Sequence, residues 1–178
     1  MITVLFGGSR PNGNTAQLTK FALQGLDYQW IDVTQHRFKP IRDVRHIEES
    51  ITDYEDDYQE ILDKVLASDT IIFASPVYWY SISAPLKAFI EHWSETLQDK
   101  RYPNFKAQMA EKDFRVILVD GDCPKIKAKP AITQMKYSLD FLGATLNGYI
   151  IGTANKPGDI MKDNYALARA TEWNQLLQ

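Results

Sequence analysis

Residues 2–15 constrain the fold more than any other stretch. Ile2-Thr3-Val4-Leu5-Phe6 is a short apolar run, Gly7-Gly8-Ser9-Arg10-Pro11-Asn12-Gly13 follows it, and Asn14-Thr15 opens a helical pattern. Strand, glycine-rich turn, helix is how an α/β protein builds an anion site. The glycines let backbone N–H groups turn inward, and the start of the helix adds positive potential. Asn12, Asn14 and Thr15 can cap that helix or donate to a phosphate, and Asn14 with Gln17 three residues on reads as a variant capping box. Arg10 is the one cation of the loop, which suits a ligand of few charges.

The same stretch stops short of two better-known loops. Gly8-x4-Gly13 is followed by Asn14-Thr15 where a triphosphate loop needs lysine and then Ser or Thr. An amide cannot supply the lysine charge, so a terminal monophosphate suits this loop better. The dinucleotide fingerprint Gly-x-Gly-x-x-Gly is absent from it. A strand-to-helix turn that binds nothing is the alternative, and the other loops decide between the two.

The rest of the chain alternates in the same way. Strands are expected at 28–33, 70–74, 114–119 and 146–151. Helices are expected at 14–25, 55–67, from Ser83-Ala84-Pro85 onward, at 129–142 with Gly143 as the stop, and at 159–176. Thr70-Ile71-Ile72-Phe73-Ala74 is almost continuously apolar, as a strand buried on both faces requires. Leu86, Phe89, Ile90 and Trp93 make an i, i+3, i+4, i+7 stripe. Five β-α units imply a parallel sheet with helices on both faces, in one α/β domain over residues 1–178. The order 2-1-3-4-5 fits five strands, although periodicity does not separate it from a Rossmann order. Ligands of such a sheet bind beyond the carboxyl ends of the first and third strands, where the order reverses.

The loop after the third strand stands at that place. Ser75-Pro76-Val77-Tyr78-Trp79-Tyr80-Ser81 puts three consecutive aromatics into a loop, which calls for a partner. A flat ligand walled by the stiff Pro76 is one reading, with backbone groups at Val77 to Trp79 reaching ring heteroatoms. A subunit interface at Trp79 and Tyr80 is the other, and the two are compatible. The loop after the fourth strand, Asp120-Gly121-Asp122-Cys123-Pro124, allows close backbone approach at Gly121. Asp120 could hold magnesium in a nucleotide hydrolase, but the first loop lacks the lysine for that chemistry. Cys123 reads as a small apolar loop residue or a thiol near the ligand.

At this point the wording becomes specific. Residues 7–15 resemble the phosphate loop of the flavodoxin-like NAD(P)H-dependent FMN reductases. Ser75-Pro76-Val77-Tyr78-Trp79 with Ser83-Ala84-Pro85-Leu86-Lys87-Ala88-Phe89-Ile90 resembles that family's isoalloxazine loop and following helix. The resemblance covers essentially the whole chain and implies a flavodoxin-like three-layer sandwich with FMN bound and NADPH or NADH as co-substrate. It implies that Ser9, Arg10, Asn12, Asn14 and Thr15 hold the FMN phosphate. Pro76, Val77, Tyr78 and Trp79 would border the ring, with Asp120, Gly121 and Asp122 as a third wall. It also implies a homodimer or tetramer, and a small electron acceptor such as a quinone or free flavin. The loops resemble iron–sulfur flavoproteins too, but 36–53 has no cysteine for a cluster. A one-electron carrier flavodoxin is the rival. It favours a Thr/Ser-rich first loop and a strongly acidic face, whereas this chain has Arg10-Pro11 and a net charge of -3.

That modest charge argues against a dedicated nucleic-acid binder. A single cysteine rules out an internal disulfide. No apolar run is long enough for a bilayer and no signal peptide is read, so a cytoplasmic protein is expected. One stretch stays outside this scheme. His36, Arg37, Lys39, Arg42, Arg45 and His46 are followed by Glu48, Glu49, Asp53, Glu55, Asp56 and Asp57. It reads as a solvated loop with internal ion pairs, or as a basic lid over the phosphates of NADPH.

Overall fold

The computed structural model describes residues 1–41 and 54–178. Five strands, β1 (Ile2–Phe6), β2 (Tyr28–Asp32), β3 (Thr70–Pro76), β4 (Asp113–Asp120) and β5 (Leu146–Thr153), form one parallel sheet in the order β2-β1-β3-β4-β5. The helices are α1 (Asn14–Ala22), α2 (Tyr58–Leu66), α3 (Ala84–Glu91), α4 (Trp93–Thr96), α5 (Phe105–Ala110), α6 (Pro124–Lys127), α7 (Lys129–Phe141) and α8 (Asn164–Leu176). The three short helices α4, α5 and α6 have no counterpart in the sequence expectation. The closing helix expected over 159–176 is two pieces: a 3-10 turn at Asp159–Lys162, then α8 after Asp163, whose carboxylate accepts from Ala166 N–H.

Strand alternation sorts the core into two layers. Val4, Phe6, Ile72, Ala74, Ile117 and Ile150 face α1 and α8, where Leu18, Ala166, Ala170 and Trp173 close over them. Leu5, Ile71, Phe73, Val116 and Leu118 face the other way, under α2, α3 and α7, with Leu62, Leu86, Phe89 and Leu139. The register slips between Phe114 and Arg115, which pair with Leu146 and Gly148. Asn147 is the extra residue, and its amide donates to Asp113 Oδ1 at 2.9 Å. The bulge lets Leu146 join the layer of Ile151 while Gly148 faces Trp173 in the other.

A buried polar cluster ties the charged segment down. His92 Nε2 lies 3.2 Å from Asp56 Oδ2, and the same carboxylate accepts from Lys39 N–H at 2.7 Å and Tyr58 N–H at 3.0 Å. Tyr54 donates to Asp99 Oδ2, and the Tyr58 hydroxyl bonds Thr96 Oγ1. Burial pushes both phenols well above their ordinary pKa. His36 faces Asp57 at 3.4 Å and Lys39 pairs with Glu55, so the described ends of the charged segment pair with each other. Arg42, Arg45, His46, Glu48, Glu49 and Asp53 lie outside the described residues.

Candidate functional site

The sheet reverses between β1 and β3, which both start from the same central pair and connect outward in opposite directions. Four connections converge beyond their carboxyl ends: 7–13 after β1, 77–83 after β3, 121–123 after β4 and 154–158 after β5. They enclose an open cavity of about 240 Å³. Gly7 N–H bonds Ala74 O at 2.9 Å, carrying the β1–β3 ladder one residue beyond β1 into the loop. A Cβ on Gly7 would stand 2.3 Å from Ser83 Oγ and 2.6 Å from Leu86, so only glycine lets α3 pack against this turn.

Ser9, Arg10, Asn14, Thr15, Pro76, Val77, Tyr78, Asp120 and Gly121 line this cavity together. Ser9 Oγ and the Tyr78 hydroxyl meet at 3.0 Å, joining the first loop to the aromatic one. Thr15 sits buried in the first turn of α1, whose leading N–H groups have no intrahelical acceptor. Asp120 Oδ1 accepts from Asp122 N–H at 3.1 Å, whereas its Oδ2 is buried without a partner. A buried carboxylate oxygen in that state is costly and calls for a donor from whatever fills the cavity.

Three expected residues fall outside the lining. Asn12 accepts from the Gln17 side-chain amide through its backbone carbonyl at 2.9 Å. Asp122 turns away to Lys127 at 2.7 Å and to the Tyr80 hydroxyl at 3.3 Å, and the Lys127 hydrogen bond holds its carboxyl below the ordinary value. Trp79 is 95% exposed and projects from the loop. Its backbone explains why: Trp79 and Tyr80 both have positive φ, 50° and 64°, in a two-residue turn closed by Tyr78 and Ser81.

The expected capping box is also corrected. Residue 13 is the N-cap and makes no side-chain capping bond. The Asn14 side chain reaches across the molecule instead. It donates to Lys156 O at 2.9 Å and accepts from Gly158 N–H at 2.9 Å and Ile160 N–H at 3.5 Å. Asn14 therefore fastens the β5–α8 connection to α1, and its backbone N–H is what it has left for an anion. That connection is the part of the site that the sequence reading missed. Ala154, Asn155 and Pro157 line the cavity, and Asn155 Nδ2 lies 3.4 Å from Gly121 O. A Cβ on Gly121 would meet Asn155 Oδ1 at 1.8 Å, so the close approach read for Gly121 is made by Asn155. Pro157-Gly158, a few residues past the fifth strand, was the available signal: a turn at the same end of the sheet as the other three loops.

Among the described residues no group of three His, Cys, Asp or Glu side chains is placed to hold a metal. No helix of the described residues is long and apolar enough to cross a membrane. A family model described as NADPH-dependent FMN reductase matches residues 1–116. YwqN of Bacillus subtilis (strain 168), to which the role of an NAD(P)H-dependent FMN-containing oxidoreductase is assigned by name, is 43% identical over 170 residues. The match covers 96% of this chain and 94% of that one. A solved Bacillus subtilis structure, called Trp repressor binding protein, superposes with a TM-score of 0.82 at 39% identity, covering 97% of each chain. An FMN-dependent NADH-azoreductase from Bacillus anthracis, solved with FMN, superposes at 0.71 over the full length of both chains with 12% identity, a likeness of fold.

Proposed function

Since this chain belongs to the NADPH-dependent FMN reductase family, we propose that its switch-point cavity binds FMN and serves electron transfer from NAD(P)H to a small acceptor such as a quinone or free flavin. The observation that carries this reading is the convergence of the α1 start and the Tyr78 loop on one cavity whose third wall holds an unpartnered buried carboxylate oxygen. The two ends of the cavity have opposite character. Arg10, Thr15 and the free N–H groups at the head of α1 suit a phosphomonoester. Asp120 Oδ2 would repel a phosphate but accept from a hydroxyl or ring N–H, which a ribityl chain and an isoalloxazine both present. A ligand with an anion at one end and donors further along fits that polarity.

Bound FMN supplies the acceptance and release of hydride. The chain's own residues supply position and electrostatics. Pro76 and Val77 fix one wall, Val77 N–H being spent on Val119 O at 2.9 Å. Ser9 and Tyr78 hold the first and second loops together. A cavity of about 240 Å³ is smaller than the usual ligand pocket of about 300–1,000 Å³. The cavity therefore leaves part of a flavin uncovered, where a nicotinamide and an acceptor can take turns. The exposed Trp79 is the side chain we assign to a partner subunit in a homodimer, covering the open side of the site.

Two measurements test this reading. The FMN-loaded protein should oxidise NADPH or NADH when benzoquinone or free FMN is present, and absence of turnover with either would overturn it. Thr15→Ala should weaken FMN binding about fivefold to tenfold, the value of one neutral hydrogen bond of about 1 kcal/mol. An equilibrium titration by flavin fluorescence reads this directly.

A further inference from the structure

A second cavity, larger than the one at the switch point, lies at the β5 edge of the sheet. Among the described residues β5 is the last strand of the sheet, and its outer backbone edge has no strand partner. Above that edge a cleft of about 730 Å³ opens between α6 and α7 on one side and the 3-10 turn and α8 on the other. Its charge is uneven. Lys125, Lys129, Lys162 and Arg169 line it against two carboxylates, Asp159 and Asp163. Asp163 is committed to Thr153 N–H and Ala166 N–H, Asp159 to Lys156 N–H and Lys162, and Arg169 to Glu172. Among the described residues, Lys125 and Lys129 have no carboxylate partner. Lys125 lies over the Tyr165 ring at 5.8 Å. Tyr149 and Tyr165 are 46% and 66% exposed, leaving aromatic faces beside the cations.

The cleft also joins the first site. Ala154 and Asn155 line both cavities. From Tyr149 to Ala154 the chain covers about 16 Å at the usual strand rise, within the span of an extended dinucleotide. Uncompensated lysines suit phosphate, tyrosine faces suit a flat base, and an open strand edge suits hydrogen bonds to both.

We infer that the β5-edge cleft binds an adenosine phosphate group through Lys125 and Lys129. On the reading that the nicotinamide works at the switch-point cavity, this group is the adenosine end of NAD(P)H. A separate adenine nucleotide carries the same chemistry, and the test distinguishes the two sources.

The probe is adenosine 2′,5′-bisphosphate, titrated calorimetrically into the FMN-loaded protein and into its Lys125→Glu/Lys129→Glu variant. FMN affinity, unchanged in the variant, confirms its fold. The wild type should bind the probe at least tenfold more tightly than the variant. If the group is the co-substrate's own end, the probe competes with NADPH and the variant raises the KM for NADPH about tenfold. Binding that depends on the lysines without competition assigns the cleft to a separate nucleotide. No binding to the wild type at millimolar probe, or equal binding to both proteins, overturns the inference. A failure of FMN binding or of NADPH oxidation in the wild type falls on the parent reading instead, since the probe titration needs no turnover.

Discussion

Replacing Asn14 with Ala should lower the stability of the protein by about 2–3 kcal/mol, a fall in Tm of about 5–10 °C for a chain of this size. The side chain makes three hydrogen bonds to Lys156, Gly158 and Ile160. Each is worth about 1 kcal/mol net, and the truncation leaves backbone groups without their partner. The loss is not a helix-cap effect, because the amide does not cap α1. Amide exchange should localise the opening to 156–160 and leave β3 protected. Asn14→Asp should cost less, since it keeps both acceptor contacts and adds a carboxylate beside a helix start. Had Asn14 been a phosphate ligand and nothing else, the alanine variant would weaken FMN binding and leave the stability of the FMN-free protein untouched. The combination of thermal unfolding and exchange separates the two roles.

The second large effect has the opposite sign. The double substitution Trp79→Asn/Tyr80→Gly should raise stability by about 2 kcal/mol while weakening self-association and the turnover that depends on it. Tyr78 and Ser81 exchange two backbone hydrogen bonds, at 3.0 and 3.1 Å, around a two-residue turn with both central φ values positive. Such a turn favours Asn-Gly, and bulky residues held there cost about 1–3 kcal/mol each. Within one chain the return is small. Tyr80 reaches Asp122 at 3.3 Å and lies under Lys127 at 5.7 Å, both on the surface, and Trp79 is almost fully exposed. Strain with so little local compensation fits a side chain kept for a second chain. Thermal unfolding at concentrations where both proteins are monomeric should show the gain, and sedimentation at higher concentration the loss of association. An unchanged oligomer would contradict the interface assignment, and a lower Tm would contradict the strain.

The parts of this protein that could be read from its sequence are those written in local pattern. The near-continuous apolar run at 70–74 announced a strand buried on both faces, and β3 is central and buried over that stretch. The 2-1-3-4-5 order was one of two open possibilities and is the one observed. The first loop, the Pro76-Val77-Tyr78 wall and Asp120-Gly121 then fall together because a parallel sheet of this order brings the carboxyl ends of β1, β3 and β4 side by side. The residues that were misread owe their place to long-range partners. Asn14 bonds residues more than 140 positions away, and no local spacing reveals that. Its neighbour Gln17, read as the other half of a capping box, is spent on Asn12 O. Trp79 was read both as a ring wall and as an interface residue; the positive-φ turn, which a Trp-Tyr pair does not announce, points it away from the cavity of its own chain. Asn155 went unread because its one cue, the Pro157-Gly158 turn beyond the fifth strand, names no ligand contact by itself, and Lys125 and Lys129 follow the fourth strand without a local pattern that points to the β5 edge.

The most direct test of a flavin site at the β1/β3 switch point is the titration of the purified, cofactor-stripped protein with FMN, followed by flavin fluorescence and visible absorption. Saturable quenching at one FMN per chain, weakened by Thr15→Ala, is the expected result. A flat titration, with protein that stays colourless after dialysis against excess FMN, would contradict it.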